Sequence, residues 1–253
     1  MLYYDKAVCA ANRIFKKQRG SDIVYYGMGD GYFFILLIVM ALSFVAQGKV
    51  QRTFNQYAQH SVSSGLTAER IAQQLLDKAG SRVQITPVQG SLTDHFNPKT
   101  NVVGLSTQVY GSNSISAVAV AAHEIGHVMQ YESGYSPIRL RNAILPVASL
   151  GSQAAPWIVI LGLFMGSYNL SMAGVILFGA MLAFQLVTLP VEFNASSRGL
   201  RMLEEGNYIS YEESDGAKKV LNAAAMTYVL AAIASLVNFL RLYSIAQSSR
   251  RRN

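Results

Sequence analysis

His123 and His127 lie four residues apart in the run AAHEIGHVMQYESG, Ala121 to Gly134, and Glu124 directly follows the first of them. On an α-helix, residues four apart differ by about 40° around the axis and one turn along it. Two imidazoles at that spacing can point at one ion. Glu124 is set one residue on, close enough to reach a water on that ion without binding it. His-Glu-x-x-His is the spacing of the zinc peptidases. Zinc in such a site lowers the pKa of its water towards about 7 and polarises the substrate carbonyl. The glutamate then takes the water's proton and passes it to the leaving amine. Gly126, between the histidines, is expected to leave room near the metal.

A catalytic zinc takes three protein ligands and keeps a fourth position open. No histidine follows His127, so the third ligand must be a carboxylate or an earlier histidine such as His95. Glu192 is the best placed, in TLPVEFNASSRGL at the end of a long apolar run. Its plain alternative is an interfacial residue that marks where a span ends. His95, in TDHFNP, reads more simply as a turn residue before an Asn-Pro step. Glu204, Glu205, Glu212 and Glu213 come in pairs amid polar residues, the pattern of a solvated surface. Cys9 is the one cysteine, which excludes both an intrachain disulfide and a cysteine-based zinc site.

The elements that must position these residues are mostly apolar. The chain has 253 residues, 51% hydrophobic and only 14% charged, against about 25% charged in a typical soluble domain. Residues 31–48, 142–191 and 220–240 contain no Asp, Glu, Lys or Arg. A helical span of the hydrocarbon core takes about 20 mostly apolar residues. The first and third windows therefore fit one transmembrane helix each. The middle one fits two, joined by a turn at Ser167-Tyr168-Asn169-Leu170-Ser171. The first window ends in FVAQGKVQ without a clear small-x-small cleavage site, so it is expected to stay in the mature chain.

Residues 1–30 carry Tyr4, Ala7, Val8, Ala11, Ile14 and Phe15 at helical spacing with basic residues between, the pattern of a short helix on a lipid surface or of a basic tail. Residues 49–141 form the largest polar block. Thr67 and Gly80 bracket a helix carrying Ile71, Leu75 and Leu76; VQITPV and NVVGLS read as short strands, with the turn-rich GSLTDHFNPKTN between them. Val102–Ser106 is expected to be an edge strand that could pair with an extended peptide. Ser112-Asn113-Ser114 offers caps for the histidine helix, and Gly134 lies just past its end. Residues 192–219 form a second polar block, with a short helix around Arg198–Glu205, a stop at Gly206 and a loop to Lys218-Lys219. Residues 220–245 make the last span and 246–253 a basic tail. Two spans separate the polar blocks, so both face one compartment and can share a site.

The expected fold is thus an α-helical integral membrane protein with four transmembrane helices and a small α+β zincin-like metallopeptidase domain on one membrane face. The net charge of +7 is better explained by basic residues flanking the spans than by nucleic acid, and no nucleic-acid partner is expected.

The order of motifs resembles one family. An early span is followed by GLTAERIAQQLLDKAG, GSLTDHFNP, VAAHEIGHVMQ, GYSPIRLR and LPVEFNAS. Together these resemble the YugP-type membrane zinc metallopeptidases of bacteria, which are similar to the HtpX membrane proteases. The resemblance covers roughly residues 32–245, leaving residues 1–30 outside it. It implies one Zn2+ per chain on His123, His127 and Glu192, with Glu124 as general base. HtpX-like proteins usually read Glu-x-x-Ala-Asp around the third ligand, whereas this chain reads Glu192-Phe193-Asn194-Ala195-Ser196. Asn194, Ser196 or Arg198 is expected to orient Glu192 in place of the missing carboxylate.

The function expected is zinc-dependent endopeptidase action on membrane or membrane-proximal polypeptides, with lipid as the other partner. The alternatives are a non-catalytic scaffold or chaperone with a structural zinc, which has no need of Glu124, and a metal transporter, whose spans should carry ionisable residues. Tyr131, Tyr135 and Arg198 are the candidates for stabilising the oxyanion. A multi-pass protein of the plasma membrane is expected. Basic residues are balanced on the two faces, so they do not orient it; the likeness to HtpX implies a cytoplasmic site.

Overall fold

The structure is a computed structural model that describes residues 31–250, with side chains through Gln247. The expectations for residues 1–30 and for the last residues of the tail lie outside the described part. Among the described residues nine elements follow in order: α1 (Gly31–Tyr57), α2 (Ala68–Ala79), β1 (Gln84–Val88), β2 (His95–Asn97), β3 (Val102–Ser106), α3 (Ile115–Glu132), α4 (Ser136–Phe164), α5 (Tyr168–Glu205) and α6 (Tyr211–Arg250).

Four of these, α1, α4, α5 and α6, are long and apolar enough to cross a membrane. Their outward faces carry Val45, Trp157 and Ile176 at 69, 73 and 70% exposure. Apolar surface on that scale is anomalous against water and ordinary against lipid. Between α4 and α5 the backbones nearly touch. A Cβ on Gly151 would lie 2.4 Å from the Leu177 carbonyl oxygen, and one on Gly174 would lie 3.0 Å from that of Ala155. Small residues at such crossings are the usual means of packing helices in lipid.

The polar residues between α1 and α4 build a separate small core. Ile71, Leu75 and Leu76 of α2, Val103 and Leu105 of β3, and Val118, Ile125 and Val128 of α3 are buried together, joined by Leu203 of α5 and Leu221 of α6. Gly80 ends α2 in the left-handed conformation at φ 68°, as its lack of a Cβ allows. Thr67 sits at the N-cap of α2 without capping it; its hydroxyl donates instead to Glu69 at 2.6 Å. Ser114 caps α3 by accepting from the Ala117 N–H.

The sheet has the order β1-β3-β2. β1 runs parallel to β3, and β2 runs antiparallel to it with Phe96 opposite Val103. This corrects the reading of Val102–Ser106 as an edge: it is the central strand, and the edge facing α3 is β2. The segment Gly90–Asn101 is therefore not all turn. His95–Asn97 pairs with β3, and Asp94 fixes the approach by accepting from the Ser106 N–H at 2.7 Å and its hydroxyl at 3.0 Å.

Two further expectations change. The helix around Arg198–Glu205 is not separate: α5 is one helix of 38 residues, about 57 Å long at 1.5 Å per residue. Loss of apolarity after Val191 ends the membrane-compatible stretch without ending the helix. The loop to Lys218-Lys219 is likewise helical, because α6 starts at Tyr211. Glu213 accepts from the Ser210 N–H at that start and from the Ser63 N–H, both at 2.7 Å. Glu204 accepts from the Ser214 hydroxyl. These two carboxylates clamp α5, α6 and the loop after α1 together, whereas Glu205 is the solvated residue its pattern suggested, 3.9 Å from Arg201.

Candidate metal centre

The histidine pair lies on α3 and Glu192 on α5, and what brings them together is a backbone contact. A Cβ on Gly126 would lie 2.3 Å from the Ala195 carbonyl oxygen, and one on Gly199 would lie 2.6 Å from that of Ala122. Each helix thus offers a glycine to the other. Gly126 makes room for α5, not for a metal as the sequence suggested. A turn away on each helix, His123, His127 and Glu192 converge with their candidate ligand atoms all within 4.8 Å of one another.

Glu192 is 3% exposed, and its Oε2 has no hydrogen-bond partner. That atom lies 3.4 Å from His123 Nε2 and 3.7 Å from His127 Nε2. Both distances are long for a hydrogen bond. They are close to the roughly 3.3 Å that separates ligands held at about 2.0–2.1 Å around a tetrahedral zinc. Burial works against a charged His127 imidazole, yet the Glu192 and Glu124 carboxylates beside it raise its pKa above the usual histidine value. The cluster therefore draws positive charge, and its donors suit zinc.

The second ring nitrogens show how the imidazoles are oriented. His123 Nδ1 lies 3.0 Å from Ser196 Oγ, and His127 Nδ1 lies 3.0 Å from Gln130 Oε1. The Gln130 amide is itself fixed: its Nε2 donates to the Val191 carbonyl at 2.7 Å and to Asn194 Oδ1 at 3.0 Å. Arg198 Nε donates to the same Asn194 oxygen at 2.8 Å. With its NH2 committed, Gln130 can only accept from His127. Nδ1 then holds the proton, and the Nε2 lone pair is left for a metal.

The sequence offers Asn194, Ser196 or Arg198 to orient Glu192. They orient the histidines instead, because they lie on the α5 face turned to α3. The residue on Glu192's other oxygen is Arg141 of α4, whose Nη2 is 4.0 Å from Oε1. Nothing in its sequence context separated Arg141 from the ordinary basic flank of a span. His95 is exposed on β2, its Nδ1 is 2.9 Å from the Thr93 carbonyl, and its ring covers Gly104; it is not part of the cluster.

A cleft of about 530 Å³ opens beside the cluster. His123, Glu124, Glu192 and Ser196 lie on one side, Gln47, Val50 and Gln51 of α1 and Val220–Tyr228 residues of α6 on another, and Leu92 and Asp94 at the sheet end. Tyr131, Tyr135 and Arg198 are not among the lining residues. Tyr131 meets Phe96 edge to face at 6.0 Å, and Arg198 lies over Tyr135 at 5.5 Å.

Four helices long and apolar enough to cross a membrane thus stand beside a His-His-Glu cluster, able to hold a metal ion, that opens on a cleft. More closely, residues 32–247 match the family described as "Putative neutral zinc metallopeptidase", and the chain belongs to that family. It is 44% identical over 223 residues to the "Putative membrane protease YugP" of Bacillus subtilis (strain 168), covering 88% of this chain and 99% of that one. No solved structure matches it.

Proposed function

We propose that this chain is an integral-membrane zinc endopeptidase, with one zinc per chain on His123, His127 and Glu192 and with Glu124 as general base. The observation that carries the reading is the position of Glu124. Glu124 is 7% exposed, yet it lines the cleft next to His123 and Glu192. A buried carboxylate at the open side of a metal cluster suits proton transfer; a purely structural zinc does not require it. Zinc held there supplies Lewis acidity and a water acidic enough to react near neutral pH. Glu124 takes the proton of the attacking water and delivers it to the amine nitrogen as the C–N bond breaks. Ser196 and Gln130 keep the imidazoles oriented throughout, and Arg141 holds the outer oxygen of Glu192.

The substrate is a polypeptide at the membrane surface. The cleft is walled in part by α1 and α6, so a bound chain meets the bundle as well as the polar domain. The outer edge of β2, not β3, is the place for an extended peptide to pair. We place the protein in the plasma membrane with the site in the cytoplasm. Labelling of Ser91→Cys, in a Cys9→Ser background, by an impermeant thiol reagent added outside whole cells would overturn that orientation.

The test of the function is zinc content and proteolysis of the purified full chain in detergent. The wild type should hold about one zinc and cleave an unfolded protein such as β-casein. Glu192→Ala should lose the metal. Glu124→Gln should keep it and lose about 10²- to 10⁴-fold in rate. A wild type that takes up no supplied zinc sinks the reading.

A further inference from the structure

The cleft contains a hydroxyl that the scheme above leaves unused. Tyr228 sits on α6, in the stretch between residues 220 and 240 that has no charged residue. It is half-buried and lines the cleft together with His123, Glu124 and Glu192. It lies close enough to the Glu192 and Glu124 carboxylates and to the Arg141 guanidinium to feel their charge. A phenol packed in an apolar helix normally turns its hydroxyl to a neighbouring backbone or to the interface. This one lines the cleft on which Glu124 and Glu192 open.

Helix geometry supports the placement. Glu192 lies 13 residues before the end of α5 at Glu205, and Tyr228 lies 17 residues after the start of α6 at Tyr211. At 1.5 Å per residue these are about 20 and 26 Å from the connection between the two helices. The two side chains therefore lie at nearly the same level of the bundle, across the cleft from each other.

Resting on the peptidase reading, we infer that Tyr228 is a catalytic residue that donates its hydroxyl hydrogen bond to the substrate oxyanion. When water adds to the scissile carbonyl, the new C–O bond pushes the carbonyl π electrons onto oxygen, and Glu124 takes the water's proton. The oxygen that becomes negative gains a donor from Tyr228. When the C–N bond breaks, the carbonyl re-forms, the amine leaves with the proton carried by Glu124, and the phenol keeps its own proton throughout. Such a donor acts mainly in the transition state, where the charge develops. Arg141 is the other donor near Glu192, but it approaches from α4 and is not part of the cleft lining. Its place is that of a positioning residue for the carboxylate.

Tyr228→Phe removes one oxygen and keeps the ring in the cleft wall, so the fold is expected to survive. Three quantities are read on zinc-supplied full chain in detergent: metal per chain, β-casein turnover, and affinity for the phosphoramidate N-phosphoryl-Leu-Phe, whose tetrahedral anion mimics the intermediate. The expected result is a kcat lowered about 10²-fold with KM little changed. Phosphoramidate affinity should fall with kcat, and zinc content should equal that of the wild type. Unchanged kcat and unchanged phosphoramidate affinity would overturn the inference. Loss of zinc would overturn it too, and would make Tyr228 a positioning residue for Glu192. An active wild type beside an indifferent Tyr228→Phe sinks only this inference. A wild type that cleaves nothing and binds no phosphoramidate sinks the peptidase reading along with it.

Discussion

The helix α5 makes two close crossings, one with α4 among the membrane-length helices and one with α3 at the candidate metal cluster. Both use glycine to bring backbones together: Gly151 meets the Leu177 carbonyl in the first, and Gly126 meets that of Ala195 in the second. Around the first, Val159, Val175 and Ala246 form a small apolar cluster. Around the second, Arg198, Asn194 and Gln130 form a chain of hydrogen bonds that ends on His127, and Ser196 separately meets His123. The same packing device thus does different work. In the bundle it sets how tightly two helices hold. At the site it sets the distance between candidate ligands, and an error of half an ångström matters.

Matched substitutions sharpen that contrast. Gly126→Ala puts a methyl group against a backbone oxygen that cannot move aside alone, so α3 and α5 must separate. The 3.4 and 3.7 Å distances to Glu192 then open. Zinc and proteolysis should be almost wholly lost, with a stability cost of about 1–3 kcal/mol. Gly151→Ala should cost a similar amount, read as a lower Tm in detergent, while each folded chain keeps its zinc and its activity. If Gly151→Ala also strips the metal, the two crossings are mechanically one and the contrast fails.

A smaller effect is expected from the hydrogen-bond chain. Gln130→Leu leaves both backbones in place but removes the acceptor on His127 Nδ1. Zinc affinity, measured by competition with a chelator, should fall about 10- to 100-fold. An unchanged affinity would mean that the glycine contact alone fixes the ligands.

The smallest effect separates the polar domain from the bundle by pH. Glu69 accepts from the Thr67 hydroxyl and from the Gly111 N–H at 2.8 Å. Partial burial raises its pKa, but these donors outweigh burial and leave it below the ordinary value of 4.5. A depressed carboxylate stabilises the fold above its unfolded pKa and loses that contribution as pH falls through the folded one. Melting profiles of wild type and Glu69→Gln should therefore differ near neutrality and converge in the acid arm below pH 4.5. Glu69 is only partly buried, so the gap should be small.

What the sequence revealed follows the range of the interactions involved. The spacing of His123 and His127 is local, and the long charge-free runs are local too, so the helix and the membrane-length segments could be read directly. Glu192 was within reach because its position at the end of a run has a topological meaning. β2 was hidden because a three-residue strand is held by its partner, and Gly90–Asn101 is rich in turn formers. The unbroken α5 was hidden because a polar stretch resembles a boundary even when the helix continues. Glu204 and Glu213 looked solvated because their partners, Ser214 and Ser63, carry no motif. Tyr228 was hidden among apolar neighbours, and only the packing of α6 against the cluster singles it out.

The continuity of α5 has a consequence for how the protein matures. The ribosome delivers His123 and His127 first, then the α4–α5 hairpin, then Glu192 on the last stretch of the same rod. Glu192 can reach the histidines only once that rod stands beside α3, which requires the hairpin to be in place. On the peptidase reading, a newly made chain is expected to complete its site only once insertion is complete.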